Sequence, residues 1–222
     1  MKKTALIILF VVLIASSVLA AGKDVEVRER TLTSETPPFL VTLPSDLQLV
    51  YFESAEHAAE NSRTRTFFLA REAGKRVEEM LVVQIADRTN PQAGPMVAPP
   101  LKPYGEKRLY LKGKIKKDGV EVDSLIQLMA WNPDASSLQP VIRKGLKIPS
   151  HWALQAQVLF QPQVESAVFL RYSRDIHSFG VKVSDEEKAW DKESISGSEK
   201  KVYDSFRQAA SSMIESLRLQ NR

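Results

Sequence analysis

Short apolar segments with strand character recur along the chain from Phe39 onward. Most of them alternate apolar and polar residues or are rich in β-branched and aromatic side chains, and turn-forming sequences such as LPSD, EAGK and KDG separate them. The pattern predicts eight strands, at residues 39–43, 47–52, 64–71, 77–86, 108–116, 120–130, 152–160 and 166–172.

Helical patterns are fewer than strand patterns. The clearest lies near the C-terminus, where five apolar residues at helical spacing predict an amphipathic helix from Glu199 to Leu219. Those five are Val202, Phe206, Ala209, Met213 and Leu217. The polar sequence SAEHAAEN, which begins at Ser54, predicts a short helix, and the spacing of Ser184 and Glu187 suits a capping box for another helix around residues 185–192.

The sequence around Asp118–Gly119 predicts a hairpin residue by residue. Asp-Gly favours a two-residue type I′ turn, so Lys117 is expected to face Val120, and every further pair follows from that one. In this register one face is largely apolar, and the other carries lysines opposite acids, Lys116/Glu121 and Lys114/Asp123. The basic sequence KGKIKK is therefore interpreted as a solvated sheet face, on which Arg108 and Lys112 have no acidic partner across the ladder.

Together these elements predict a single α+β domain over residues 38–220. Its core is expected to be a mostly antiparallel meander sheet of about six to eight strands, covered by the C-terminal amphipathic helix. Residues 21–37 are expected to form a flexible lead-in. The chain has no cysteine, so the domain is stabilised without disulfides, and its length is sufficient for one hydrophobic core.

Three features resemble the PsbP-like family of exported α/β/α sandwiches. They are the opening FLVTLPSDLQLV, in which an apolar strand runs into Leu-Pro, two long central hairpins, and a terminal helix that ends SSMIESLRL. The resemblance covers roughly residues 38–219. It implies a non-catalytic accessory or assembly role outside the cytoplasm, and it identifies no partner.

The first residues have the order of a secretory signal peptide. Lys2 and Lys3 precede an apolar run, and Val18 and Ala20 are small residues suited to a cleavage site. This predicts a signal peptide over residues 1–20, cleavage near Ala20 or Ala21, and a periplasmic or secreted protein with no membrane span after cleavage. A retained single span is the alternative, because the run is near the lower limit of roughly 17–25 residues for crossing a bilayer.

Removal of the signal peptide would lower the net charge of the chain. Without Lys2 and Lys3 the chain has 29 basic and 27 acidic residues, and its net charge falls from +4 to +2. Nucleic-acid-binding domains usually have a strong basic bias, so we expect no nucleic-acid partner.

The sequence contains no recognisable catalytic or metal-binding set. It has no cysteine, no Gly-x-Ser-x-Gly motif and no glycine-rich phosphate loop. The three histidines, His57, His151 and His177, do not have the spacing that defines a metal site. We therefore expect no catalytic residue, no metal and no cofactor, and a non-enzymatic role is favoured over an enzymatic one.

Residues 90–105, NPQAGPMVAPPLKPYG, contain five prolines, which exclude a helix and favour an extended, polyproline-like course. The segment leads into Arg108 and Lys112, so Tyr104 and these two cations are the predicted ligand- or partner-binding residues. A disordered connector is the alternative interpretation of this segment.

Three functions remain open on this basis. The leading hypothesis is an exported, non-enzymatic binding or assembly protein that contacts a protein partner through a sheet edge or the proline-rich segment. The second is a carrier that holds a small hydrophobic ligand in a cavity between the sheet and the terminal helix. The third is a hydrolase of undefined type.

Overall fold

The computed structural model describes residues 25–149 and 151–219, so the predicted signal peptide lies outside the described residues. Eleven strands form two antiparallel sheets in the described part of the chain. The strands are β1 Val25–Arg28, β2 Thr31–Glu35, β3 Pro38–Thr42, β4 Gln48–His57, β5 Ser62–Ala73, β6 Arg76–Arg88, β7 Tyr110–Lys117, β8 Val120–Ala130, β9 Trp152–Gln163, β10 Ser166–Asp175 and β11 Arg218–Leu219.

The strand order of the large sheet is β4-β5-β6-β10-β9-β8-β7, and that of the small sheet is β1-β2-β3-β11. The predictions of a mainly antiparallel fold and of a C-terminal helix are confirmed, whereas the prediction of a single sheet is wrong. Strands β1 and β2 lie in the segment expected to be a flexible lead-in. They are short strands, and pairing holds them in place, because β1 pairs with β2 and β2 pairs with β3.

Two α-helices are present in the described residues, α1 Gln139–Arg143 and α2 Gly197–Ser216. The sequence SAEHAAEN does not form the predicted helix. Residues 54–57 continue β4 because they pair with residues 62–65 of β5, and one 3-10 turn follows at Ala58–Glu60. This is a case in which strand pairing overrides local helical preference.

The segment after Ser184 is also not the predicted helix. It forms a single 3-10 turn, Glu187–Trp190. The Ser184 hydroxyl accepts a hydrogen bond from the Glu186 backbone N–H at 3.1 Å, but the Glu187 carboxylate forms an ion pair with Arg108 and is not used for capping.

The β7–β8 hairpin has the predicted register at every pair from Lys117↔Val120 to Tyr110↔Gln127. Asp118 and Gly119 both have positive φ, 48° and 87°, as a type I′ turn requires. The Lys114 ammonium lies 3.0 Å from Glu121 and 3.7 Å from Asp123, so the lysine face is neutralised by the acids of β8.

The hydrophobic core lies between the inner face of the large sheet on one side and α2 with the small sheet on the other. Phe39 of β3 packs edge-on against Phe160 of β9 at 5.4 Å, and Phe206 of α2 stacks on Tyr172 of β10 at 5.5 Å. These aromatic contacts join the two layers across the core.

Strands β6 and β7 stand four places apart in an antiparallel sheet, so they run in the same direction. The chain therefore leaves β6 at one end of the sheet and enters β7 at the other end, which requires a crossover connection. Residues 89–109 make this connection over the outer face, the face that points away from α2. Residues 131–149 and α1 cover another part of that face, over Phe68, Val82 and Ala153.

Replacing Phe39 by alanine should destabilise the fold by about 3–5 kcal/mol, because its ring is fully buried between the two sheets. Urea unfolding followed by circular dichroism measures this loss. Thr42→Ala, an exposed position on the same strand, is the matched control and should cost less than about 0.5 kcal/mol. Equal stability of the two variants would contradict the docking of the small sheet on the core.

Candidate functional site

The three residues predicted to bind a ligand or partner occupy different environments. Tyr104 is 53% exposed, whereas Arg108 is only 8% exposed. The Arg108 guanidinium lies 4.8 Å from the Tyr104 ring centroid and 5.2 Å from the Trp152 ring centroid. Lys112 lies further along β7, with its ammonium 5.9 Å from the Tyr110 ring centroid. The structure thus brings Tyr104 and Arg108 together.

Arg108 is not an unpaired cation. Its acidic partner is Glu187, which belongs to the 3-10 turn and not to the facing strand β8. The backbone around Arg108 also bridges to Asp191. The hairpin register cannot reveal this partner, because the pair joins positions far apart in the sequence. Arg108 therefore fastens the end of the proline-rich segment to β9 and to the 187–190 turn.

Gly105 leaves the space that the Arg108 side chain occupies. A Cβ at this position would lie 2.2 Å from the Arg108 Nη1 atom. Any larger residue would displace a guanidinium that is already held by one carboxylate and two aromatic rings.

Two of the three histidines meet at the same end of the sheet, where His151 directly precedes Trp152. The rings of His151 and His177 are 4.7 Å apart. His151 Nε2 lies 2.8 Å from Asp175, which also accepts a hydrogen bond from Arg76 at 2.6 Å, and His177 Nε2 lies 2.8 Å from Asp185. The third histidine, His57, is exposed at the end of β4.

Each of the two paired imidazoles thus contacts a carboxylate, and neither receives a hydrogen bond from a serine or threonine hydroxyl within residues 25–149 and 151–219. Over the same residues, no group of three or more histidines and acids could hold a metal ion. The cluster connects the start of β9 with the end of β10.

Glu79 is a buried carboxylate with a complete set of partners. It accepts hydrogen bonds from Ser45, from the Tyr172 hydroxyl at 2.5 Å and from Arg71 at 2.5 Å, and Arg174 lies 3.5 Å away. Burial raises the pKa of Glu79, but these hydrogen bonds and the two arginine charges outweigh burial, so the pKa is lowered. The group ties the turn after β3 to the sheet and has a structural role.

A cleft of about 570 Å³ lies between the outer face of the large sheet and residues 95–104, which we call the proline strap. The strap contributes residues 96–102 to its walls. The sheet contributes Thr64, Gln84, Ala86, Met129, Gln155, Gln157, Leu159, Ala167, Phe169 and Arg171. The walls are thus mostly apolar, and their polar residues lie on the sheet except for Lys102 of the strap.

The proline strap is held at its two ends. The Met96 N–H donates to the Val164 carbonyl at 2.8 Å, and the Tyr104 N–H donates to the Gln127 side-chain oxygen at 2.6 Å. Residues 97–103 between these anchors form no hydrogen bond with the rest of the described chain. The roof of the cleft is therefore fixed at both ends and unattached in the middle.

Arg171 is the charged group on the floor of the cleft. Its guanidinium donates one hydrogen bond to the Gln84 side-chain oxygen, at 2.7 Å, and lies 5.1 Å from the Phe169 ring centroid. Its Nε–H is buried and has no acceptor among the described residues. Burial lowers the pKa of Arg171.

Neutral polar side chains continue the floor beside Arg171. Gln157 donates to Gln155 at 2.6 Å, and Gln155 donates to the Ser173 hydroxyl at 3.0 Å. A second cavity of about 150 Å³ adjoins this row under residues 131–138, and it shares Met129, Gln155 and Arg171 with the cleft. Arg171 therefore stands where the two cavities meet.

Sequence reasoning did not identify Arg171 or the glutamines. On an isolated hairpin the side chains of Arg171 and the glutamines would point to solvent. Polar residues are usual at such outward positions of a half-buried strand, so they attract no notice. The outward polar positions of β9, in ALQAQ, were a visible signal of an accessible face. The strap covers that face only because of the strand order, which local patterns do not reveal.

Comparison of the chain with protein-family models, with curated proteins and with solved structures gives no match. Within residues 25–149 and 151–219, none of the helices is both long enough and apolar enough to span a bilayer.

Gly105→Ala should destabilise the protein by about 1–3 kcal/mol, because the added methyl group overpacks the Arg108 side chain. Urea unfolding measures the effect. In an Arg108→Met background the same substitution should cost much less, since the atom that it meets is gone. Additive effects in the double variant would contradict this role of Gly105.

Proposed function

We propose that this chain is an exported, non-enzymatic binding protein that holds a small, largely apolar molecule between the proline strap and the outer face of the large sheet. The observation that carries the proposal is the cleft. Its volume of about 570 Å³ lies in the range of roughly 300–1,000 Å³ that is typical of small-molecule sites. Mostly apolar walls with a few polar groups on one side are also typical of such sites.

The position outside the cytoplasm is part of the proposal and is supported by the leader sequence of residues 1–20. The resemblance to the PsbP-like family supports a non-catalytic accessory role. The histidine cluster adds no support for a hydrolase, because its rings contact carboxylates and no hydroxyl.

The outer cleft is a better ligand site than the space between the sheet and α2. Phe206 and Met213 of α2 are fully buried against the sheet, so side chains fill that interface. Pro99 and Pro100, by contrast, restrict the backbone conformations of the cleft roof. A roof with few conformations in the free protein loses little entropy when a ligand binds.

A second candidate function is the binding of a protein partner along the strap. Val97 of the strap is 80% exposed, and Tyr104 is 53% exposed. Extended proline-rich segments are recognised by aromatic grooves of partner proteins. This function would use the exposed surface of the strap and needs no ligand in the cleft.

Fluorescence titration of the chain lacking residues 1–20 with N-phenyl-1-naphthylamine, a neutral apolar dye, tests the small-molecule proposal. Ala86 lies on the floor of the cleft, and an indole at this position would fill it. We expect Ala86→Trp to weaken dye binding by at least about tenfold, because the cleft is then overpacked.

Ala73→Trp, at the exposed last residue of β5, is the matched control and should bind the dye as the unmodified chain does. Thermal unfolding of both variants checks that they fold. Equal dye binding by the two variants, or no dye binding by the unmodified chain, would refute the proposal.

A further inference from the structure

Arg171 is half-buried, and it differs in its partners from other buried or half-buried arginines of this chain. Arg65 pairs with Asp87 at 2.8 Å, Arg108 pairs with Glu187, and Arg174 lies 3.5 Å from Glu79. Within the described residues, the one hydrogen bond of the Arg171 side chain goes to the neutral Gln84 side chain, and its one aromatic partner is Phe169. None of the carboxylates in the described part of the chain forms an ion pair with Arg171.

An unbalanced charge in a covered site is unfavourable unless a partner satisfies it. Burial lowers the pKa of Arg171, which reflects this cost, and its guanidinium has one neutral side-chain acceptor, Gln84. The site is therefore electrostatically incomplete in the free protein, and an anion would complete it.

The charges around the cleft favour an anion as well. No aspartate or glutamate is present among the described residues that line it. Lys102, on the strap, adds a second cation at the exposed rim. A cationic ligand would be repelled by Arg171 and Lys102, and no acid in the lining would attract it. An anionic ligand would be attracted by both cations, and no acid in the lining would repel it.

The shape of the site places the anionic group and the apolar body of a ligand separately. Arg171 stands at the junction of the 570 Å³ cleft and the 150 Å³ cavity. Apolar side chains such as Leu159 and Leu101 extend from that junction under the strap. The Arg171 guanidinium lies 5.1 Å from the Phe169 ring centroid, and a planar guanidinium matches the two oxygens of a carboxylate.

We propose that the ligand of this cleft is an amphiphilic monocarboxylate, whose carboxylate pairs with Arg171 and whose apolar chain lies beneath the proline strap. This inference rests on the proposed binding function and adds the chemical class of the ligand. Gln84, which holds Arg171 from the β6 side, is a positioning residue in this site.

Displacement of N-phenyl-1-naphthylamine by four compounds of equal chain length tests the inference. The compounds are dodecanoate, dodecanol, dodecyl phosphate and dodecyltrimethylammonium, each used below the concentration at which it forms micelles. We expect dodecanoate to displace the dye at a concentration at least about tenfold lower than dodecanol does, because it forms a charge-assisted pair with Arg171. The quaternary amine should be the weakest competitor.

Arg171→Met should remove the preference for dodecanoate over dodecanol, measured as the ratio of the two displacing concentrations, and thermal unfolding checks that the variant is folded. Arg171→Lys should retain part of the preference, because it keeps the charge and loses the planar fork. Arg143→Met, at an exposed position on α1, is the matched control and should keep the whole preference.

The outcomes separate the two proposals. Failure of the dye to bind the unmodified chain would refute the binding function. Dye binding with equal displacement by dodecanoate and dodecanol would refute only the anionic ligand. Stronger displacement by dodecyl phosphate than by dodecanoate, lost in Arg171→Met, would overturn the assignment of a carboxylate.

Discussion

Strands β6 and β7 run in the same direction and stand four places apart, and this arrangement determines most of what lies on the outer face of the sheet. Strands are about 4.8 Å apart in a sheet, so the connection must cover roughly 19 Å across the strands, in addition to the length of the sheet. An extended proline-rich segment spans such a distance with few residues, at about 3.1 Å per residue. The strap is thus the crossover that this topology requires.

The two anchors of the strap show how an extended segment is held over a sheet without becoming a strand. At one end the Met96 N–H uses the carbonyl of the β9–β10 turn, and at the other end Arg108 and Gln127 hold Tyr104. The prolines between the anchors have no N–H to satisfy, so an unpaired backbone is less costly there than in another sequence. A gap between the strap and the sheet follows from these facts, because nothing in the middle of the strap draws it onto the strands.

The sequence predicted the features of this fold that depend on neighbouring residues. The Asp118–Gly119 turn and the alternation on both sides of it defined the β7–β8 pairing at every position, since a shift of one residue would have reversed both faces. Strand order, the small sheet and the Arg108–Glu187 pair depend on contacts between distant segments, and local periodicity contains no information about them. Tyr104 and Arg108 are close in the sequence, so both could be named as candidate binding residues from the sequence alone. Arg171 could not be named, because its surroundings come from β6, β9 and the proline strap.

The covered position of Arg171 and the existence of the cleft have the same cause. On an open sheet the guanidinium would be hydrated, and its charge would need no partner. The crossover removes part of that water and puts apolar strap residues in its place, but no segment of the described chain brings a carboxylate with them. Elsewhere in this protein, buried cations were supplied with acids from distant elements, as Arg108 was with Glu187 and Arg65 with Asp87. Arg88, which is half-buried like Arg171, donates instead to the backbone carbonyls of Glu60 and Pro95. Arg171 has neither an acid nor a backbone carbonyl as partner within the described residues, and this difference is the basis for proposing an anionic ligand.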